Sequence, residues 1–119
     1  MPEIAKPEIA SFHAHVYYDA ETLAQAQALC EGARDRFGIA MGRMHRAEVG
    51  PHPRWSCQLT VPPDLFGAVI PWLALNRDGL TIFVHPETGD DLTDHSRHAI
   101  WMGSMPPLKL EIFGGQPAG

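Results

Sequence analysis

Cysteine is scarce in this sequence: Cys30 and Cys57 are the only two. Two cysteines make no disulfide framework, and no C-x-x-C pair of the redox or zinc-binding kind is present. Both fall on faces read below as apolar, where a thiol packs as a small hydrophobe. Basic clusters are missing as well. Nine Lys and Arg stand against fourteen Asp and Glu, a net charge of −5, and the scattered cations exclude the basic face that a nucleic-acid partner requires. No apolar run approaches the roughly 20 residues of a membrane span. Met1–Ala10 carries two acids and two prolines and no apolar core, unlike a signal peptide. With 119 residues, the chain suits one domain with its own core, and the cytoplasm is the expected compartment.

Histidine, by contrast, is abundant, with seven in the chain. The densest stretch is His85–Gly103, HPETGDDLTDHSRHAIWMG, directly after the apolar run Leu80-Thr81-Ile82-Phe83-Val84. It holds Asp90, Asp91, Asp94, His95 and His98 within fourteen residues of His85, more ligand-type side chains than a connecting loop needs. A second pair, His13 and His15, lies in another strand-like segment.

Residues 1–10 and the Gly/Pro tail 114–119 read as loose ends around a core of about 11–113. Residues 11–18 alternate, with Phe12, Ala14 and Val16 on one face and His13, His15 and Tyr17 on the other. Asp19 is a good N-cap, and Leu23, Ala26, Leu29, Cys30, Ala33 and Phe37 recur at helical spacing from Ala20 to Phe37. Gly38 is the helix stop. Residues 40–49 read as a second, weakly alternating strand. The turn Gly50-Pro51-His52-Pro53 follows, then a third strand with Trp55, Cys57, Leu59 and Val61 on its apolar face. Pro62-Pro63-Asp64 opens a second helix, whose buried stripe is Phe66, Val69, Ile70 and Leu73, with a kink expected at Pro71. Residues 80–84 form the fourth strand. After Pro106-Pro107, Leu108, Leu110 and Ile112 alternate as a last edge strand. The order βαββαβ is the ferredoxin-like α+β sandwich, an antiparallel sheet with two helices on one face.

In that topology the first and fourth strands are antiparallel neighbours, so His13, His15 and His85 share the face opposite the helices. Neutral imidazole is a common metal ligand, and two or three of them with an oxygen donor suit non-haem iron or zinc. Asp90, Asp91 and Asp94 are the candidates for a carboxylate in such a set, ranked behind His13 as third ligand, and an all-histidine site is the other option. His52, at the tip of the hairpin, falls at the far end of the first strand, so reaching the site requires a curled hairpin or a partner subunit.

Phe12–Asp19 (FHAHVYYD), Gly50–Pro53 (GPHP), Pro71–Arg77 (PWLALNR) and the His85–Gly103 string together resemble the DOPA 4,5-dioxygenase family. The resemblance spans about residues 11–113, and the HP-x-TGD-x-x-x-DH-x-x-x-A-x-W-x-G string is its specific part. It implies an extradiol ring-cleaving dioxygenase that uses iron(II), with zinc or another divalent ion as a substitute in purified material. Its histidine pattern falls on His15, His52, His85 and His95. Taken with the shared face, the expected metal ligands are His13, His15 and His85, while His52 and His95, on loops, move protons or orient the substrate. Tyr17, Phe83 and Trp101 would flank a catechol ring, and Arg54 or Arg97 would hold a substrate carboxylate. The alternative is a non-catalytic dimeric ferredoxin-like protein that binds a small molecule or metal; a closed structural zinc site ranks last because the cysteines lie elsewhere. A homodimer is expected, because a two-layer domain leaves one sheet face bare, here with Tyr17, Phe83 and Phe113 on it.

Overall fold

Alternation along three segments builds the centre of a five-stranded sheet. In the computed structural model, which describes residues 8–114, the elements in chain order are β1 (Phe12–Tyr18), α1 (Leu23–Phe37), β2 (Ala40–Met41), β3 (Trp55–Val61), a 3-10 turn (Pro63–Leu65), α2 (Phe66–Asn76), β4 (Ile82–Pro86), the single-turn α3 (Asp91–Asp94), β5 (Ile100–Met102) and a second 3-10 turn (Leu110–Phe113). The sheet order is β2-β3-β1-β4-β5, and every pairing is antiparallel. This is the α+β, ferredoxin-like sandwich that the alternation predicts. Of the two expected loose ends, residues 1–7 and 115–119 lie outside the described residues. Among the described residues no helix is long and apolar enough to cross a membrane.

One face of the sheet and the helices make the core. Ala14 and Val16 of β1, Cys57, Leu59 and Val61 of β3, and Ile82 and Val84 of β4 are fully buried against Ala26, Cys30 and Ala33 of α1 and Val69 and Leu73 of α2. Each such aliphatic side chain contributes about 1.5–3 kcal/mol when fully buried, so this face fixes the register of all three strands. A slip of one residue would send the histidines into the helices.

Several local expectations are corrected. Helix α1 starts at Leu23 rather than Ala20, because the Asp19 carboxylate accepts from the N–H groups of Glu21 and Thr22 and folds that stretch into a turn. Gly38, at φ 67°, ends α1 as expected. Helix α2 runs unbroken through Pro71. The bond that Pro71 cannot donate would have gone to Gly67, an exposed residue in the first turn whose carbonyl water can serve. The strand read at 40–49 shrinks to Ala40–Met41; beyond it Gly42 N–H still donates to Gln58 O, and His45 N–H to Ser56 O, after which the chain leaves the sheet. The strand expected at 108–113 is a 3-10 turn, and the fifth strand instead lies inside the histidine segment, where Ile100–Met102 pairs with β4.

The face opposite the helices is not bare. His52, in the turn before β3, packs over His15, Tyr17 and Phe83, and Lys109 N–H donates to Pro51 O at 2.8 Å, tying the last segment to that turn. Tyr17 is 1% exposed and Phe83 0%. The ground on which a dimer was expected, a half-exposed aromatic face, is therefore absent: the chain covers that face itself.

Candidate metal centre

Strand register places the first three histidines. His13 lies directly opposite His85 across the β1–β4 pair, and His15 lies opposite Phe83. Because β1 side chains alternate, His13 and His15 both leave the sheet on the side away from the helices. One ring nitrogen from each of His13, His15 and His85 falls within 4.8 Å of the others. The tightest approach is His15 Nε2 to His85 Nε2, 3.0 Å, with both rings buried.

Two loops bring in two further imidazoles. His52 is buried on top of β1, its ring 4.1 Å from that of His15, and its Nδ1 lies 2.7 Å from the Tyr17 hydroxyl. The hairpin curls, so His52 reaches the site within one chain and no partner subunit is needed. His95 ends α3 with its ring 3.9 Å from that of His85. Its Nδ1 is 2.7 Å from the Asp91 carbonyl oxygen. A carbonyl only accepts, so Nδ1 carries the proton and Nε2 holds the free lone pair. His85 is fixed in the same way: its Nδ1–H donates to Pro86 O at 2.9 Å, leaving Nε2 basic. Five of the seven histidines thus form one cluster; His45 and His98 stand outside it.

Burial favours the neutral form of His13, His15, His52 and His85. Burial lowers the pKa of His85 to about 4, against the raising effect of its bond to Pro86, and nearby imidazoles add to the lowering. Burial likewise lowers His52 to about 4. His15 is pushed well below its ordinary value by burial first and then by His52, His85, His13 and His95. His13 is lowered by burial, partly offset by Glu87. Burial raises the Tyr17 phenol, so it stays protonated while it shares a hydrogen bond with His52 Nδ1.

The donor set fits a divalent ion. Two cis nitrogens bonded at about 2.1 Å to one ion stand roughly 3.0 Å apart, and the buried His15–His85 pair already has that spacing. Converging imidazoles, two of the three buried and all with lowered pKa values, are what a metal site needs. His13, His15 and His85 are the residues that would hold it.

The remaining expected site residues are distributed unevenly. Trp101, opposite Phe83 on β5, stacks on it at 4.5 Å between ring centres. Arg54 is exposed and lines a cavity of about 590 Å³ that has Tyr17 and Trp55 in its wall. Arg97 is exposed and lines neither that cavity nor a second one beside Phe113. The aspartates are occupied elsewhere. Asp90 caps α3 through Thr93, and Asp91 is exposed. Asp94 is fully buried and accepts from Thr88 N–H, Thr88 Oγ1–H and His98 Nδ1–H. Burial works to raise its pKa, but those hydrogen bonds outweigh it and hold the carboxyl below its usual value. The carboxylate beside the histidines is Glu87, 3.1 Å from His13 Nδ1 and 3.5 Å from His85 Nδ1, a residue the sequence reading passed over. The signal was there: Glu87 stands two positions after His85, and strand parity puts both on one face. Phe113, whose ring lies 4.6 Å from His95, was placed on this face only as part of a strand that does not form.

Known proteins resemble this chain along nearly its whole length. The sequence model of the Dopa 4,5-dioxygenase family matches residues 12–112. A DOPA 4,5-dioxygenase from Amanita muscaria is 34% identical over 113 residues, covering 87% of this chain and 49% of the relative. A 21.2 kDa protein from Botryotinia fuckeliana is 35% identical, covering 86% of this chain and 62% of the relative. The chain thus spans about half to three-fifths of the length of these two relatives. A crystal structure of a candidate dioxygenase from Nostoc punctiforme PCC 73102 superposes with a TM-score of 0.78 at 40% identity, covering 89% of this chain and 92% of the other.

Proposed function

We propose that this chain, which belongs to the Dopa 4,5-dioxygenase family, is an extradiol dioxygenase that opens the ring of a catechol, such as DOPA or a related dihydroxyphenyl compound, with non-haem iron(II). The observation that carries the reading is the convergence of five imidazoles over one sheet face, with the His15 and His85 nitrogens 3.0 Å apart. When bound through His13, His15 and His85, iron(II) supplies the open coordination positions and one-electron chemistry that let a catecholate react with dioxygen.

The chain's own groups then divide the proton work. His95, with Nδ1–H held on Asp91 O, presents Nε2 as the base for a catechol hydroxyl. His52, held at Nδ1 by the Tyr17 hydroxyl, presents Nε2 for proton exchange with the substrate or the ring-opened product. The stacked Phe83 and Trp101 form an apolar wall of the site. Arg54 is favoured over Arg97 for a substrate carboxylate, since it shares a cavity wall with Tyr17. The two free, buried thiols suit the cytoplasm. The homodimer is kept only as pairing through the edge strand β5, where Ile100 is exposed.

Anaerobic loading with ferrous iron, followed by a catechol and air, tests the reading. A yellow ring-opened product is expected. Spectral change on catechol binding with no product would favour the non-catalytic binder instead.

A further inference from the structure

The carboxylate of Glu87 faces the back of two of the three imidazoles, and we propose that it is the positioning residue of the metal centre. The inference rests on the metal reading above. Glu87 follows β4, and its backbone is held at both ends by the neighbouring chain. Glu87 N–H donates to Ser11 O at 2.8 Å, and Ala10 N–H donates to Glu87 O at 2.9 Å. These two bonds carry the β1–β4 ladder one step beyond the strands and keep the Glu87 side chain on the histidine face.

The side chain then acts on tautomers. Glu87 Oε1 is 3.1 Å from His13 Nδ1 and 3.5 Å from His85 Nδ1. A carboxylate at that distance favours the His13 tautomer with its proton on Nδ1 and the Nε2 lone pair free for an ion. The His85 Nδ1–H goes to Pro86 O, with the Glu87 oxygen 3.5 Å from the same nitrogen, and its Nε2 already faces His15. An imidazole whose far nitrogen donates to a carboxylate is both oriented and made more basic. Among the described residues, those two imidazoles are the only basic groups within ion-pair distance of Glu87, so no lysine or arginine competes for it. Asp90 and Asp94 are engaged with the loop itself, and Asp91 is exposed. Glu87 therefore works from behind the ligands and is not one of them.

The test is metal affinity, read without turnover. Cobalt(II) binding is measured by competition with a chromophoric chelator in the wild-type chain and in Glu87→Ala and Glu87→Gln, together with the visible spectrum of the bound cobalt. Glu87→Ala should weaken binding by roughly 10- to 100-fold. Glu87→Gln, which keeps an accepting oxygen, should recover most of that loss and give the wild-type cobalt spectrum. Unfolding midpoints of the metal-free proteins should stay alike, because this side chain is 28% exposed and outside the core. Wild-type affinity in Glu87→Ala would overturn the assignment and leave the dioxygenase reading standing. Equal losses in both variants with a changed spectrum would overturn it in favour of a direct ligand. A wild-type chain that binds no cobalt would overturn the assignment and the metal reading together.

Discussion

Single side chains divide here by which nitrogen each can offer. His15 and His85 turn Nε2 toward each other, and both leave the sheet away from the helices. His15→Ala and His85→Ala should each lose bound iron while the helix-side core keeps the chain folded, as read by metal analysis alongside circular dichroism. Stoichiometric iron in either variant would remove that residue from the ligand set. His95 is different, because its Nδ1 is committed to Asp91 O. His95→Gln should keep its iron and turn over roughly a hundredfold more slowly or worse, the usual contribution of general acid–base catalysis; unchanged turnover would take the base role away from it. His52→Gln should behave likewise, with Tyr17→Phe showing a smaller loss, since the phenol acts only through the His52 ring. At this scale the sequence was legible where parity applied. His13, His15 and His85 follow from alternation, and Glu87 would have followed from the same rule. His52 did not, because nothing in a Gly-Pro-His-Pro turn says which way it curls.

Secondary-structure elements were readable in proportion to their length and alternation. β1, β3 and β4 each bury one face against α1 and α2, and that contrast is printed in the residue pattern. β2 and β5 pair over two and three residues, too short for alternation to show. Leu108, Leu110 and Ile112 alternate as well as any strand, yet β5 already occupies the edge beside β4 and the segment closes as a 3-10 turn. The element most exposed to a single change is the loop that carries His95. Asp94 gathers Thr88 N–H, Thr88 Oγ1–H and His98 Nδ1–H while fully buried. Removing it leaves the half-buried Thr88 N–H without its acceptor. Asp94→Ala should therefore cost roughly 3 kcal/mol, given about 1.5–3 kcal/mol for a hydrogen bond to a charged group. Urea unfolding would measure it, and a loss under about 0.5 kcal/mol, the range of ordinary surface substitutions, would show that the loop is held by other contacts.

For the whole molecule, the cluster of neutral imidazoles ties stability to pH. His52 and His85 titrate at about 4 in the folded chain, against 6.5 as the ordinary value. The unfolded chain thus takes up protons first as pH falls. Their contribution is intact above about pH 6.5 and is lost progressively toward pH 4, so the urea midpoint of the metal-free protein should drop between pH 7.5 and pH 5. A midpoint that held steady or rose over that range would show that these rings are not buried as neutral groups. All five histidines and Glu87 of the proposed site come from one chain. Activity per chain should not change on dilution, whether light scattering finds the 13.1 kDa monomer or a pair joined through β5. Activity that fell with dilution would mean that a second copy completes the site.

The central claim is that this histidine face performs dioxygen chemistry on a catechol and does not merely hold a metal. An oxygen electrode reading of the iron-loaded chain, with catechol limiting, tests it most directly. The account predicts one dioxygen consumed for each catechol opened, no peroxide released, and no uptake in the His15→Ala, His85→Ala double variant. Catechol that binds and persists with no oxygen uptake, or uptake that ends as peroxide with the ring intact, would contradict it.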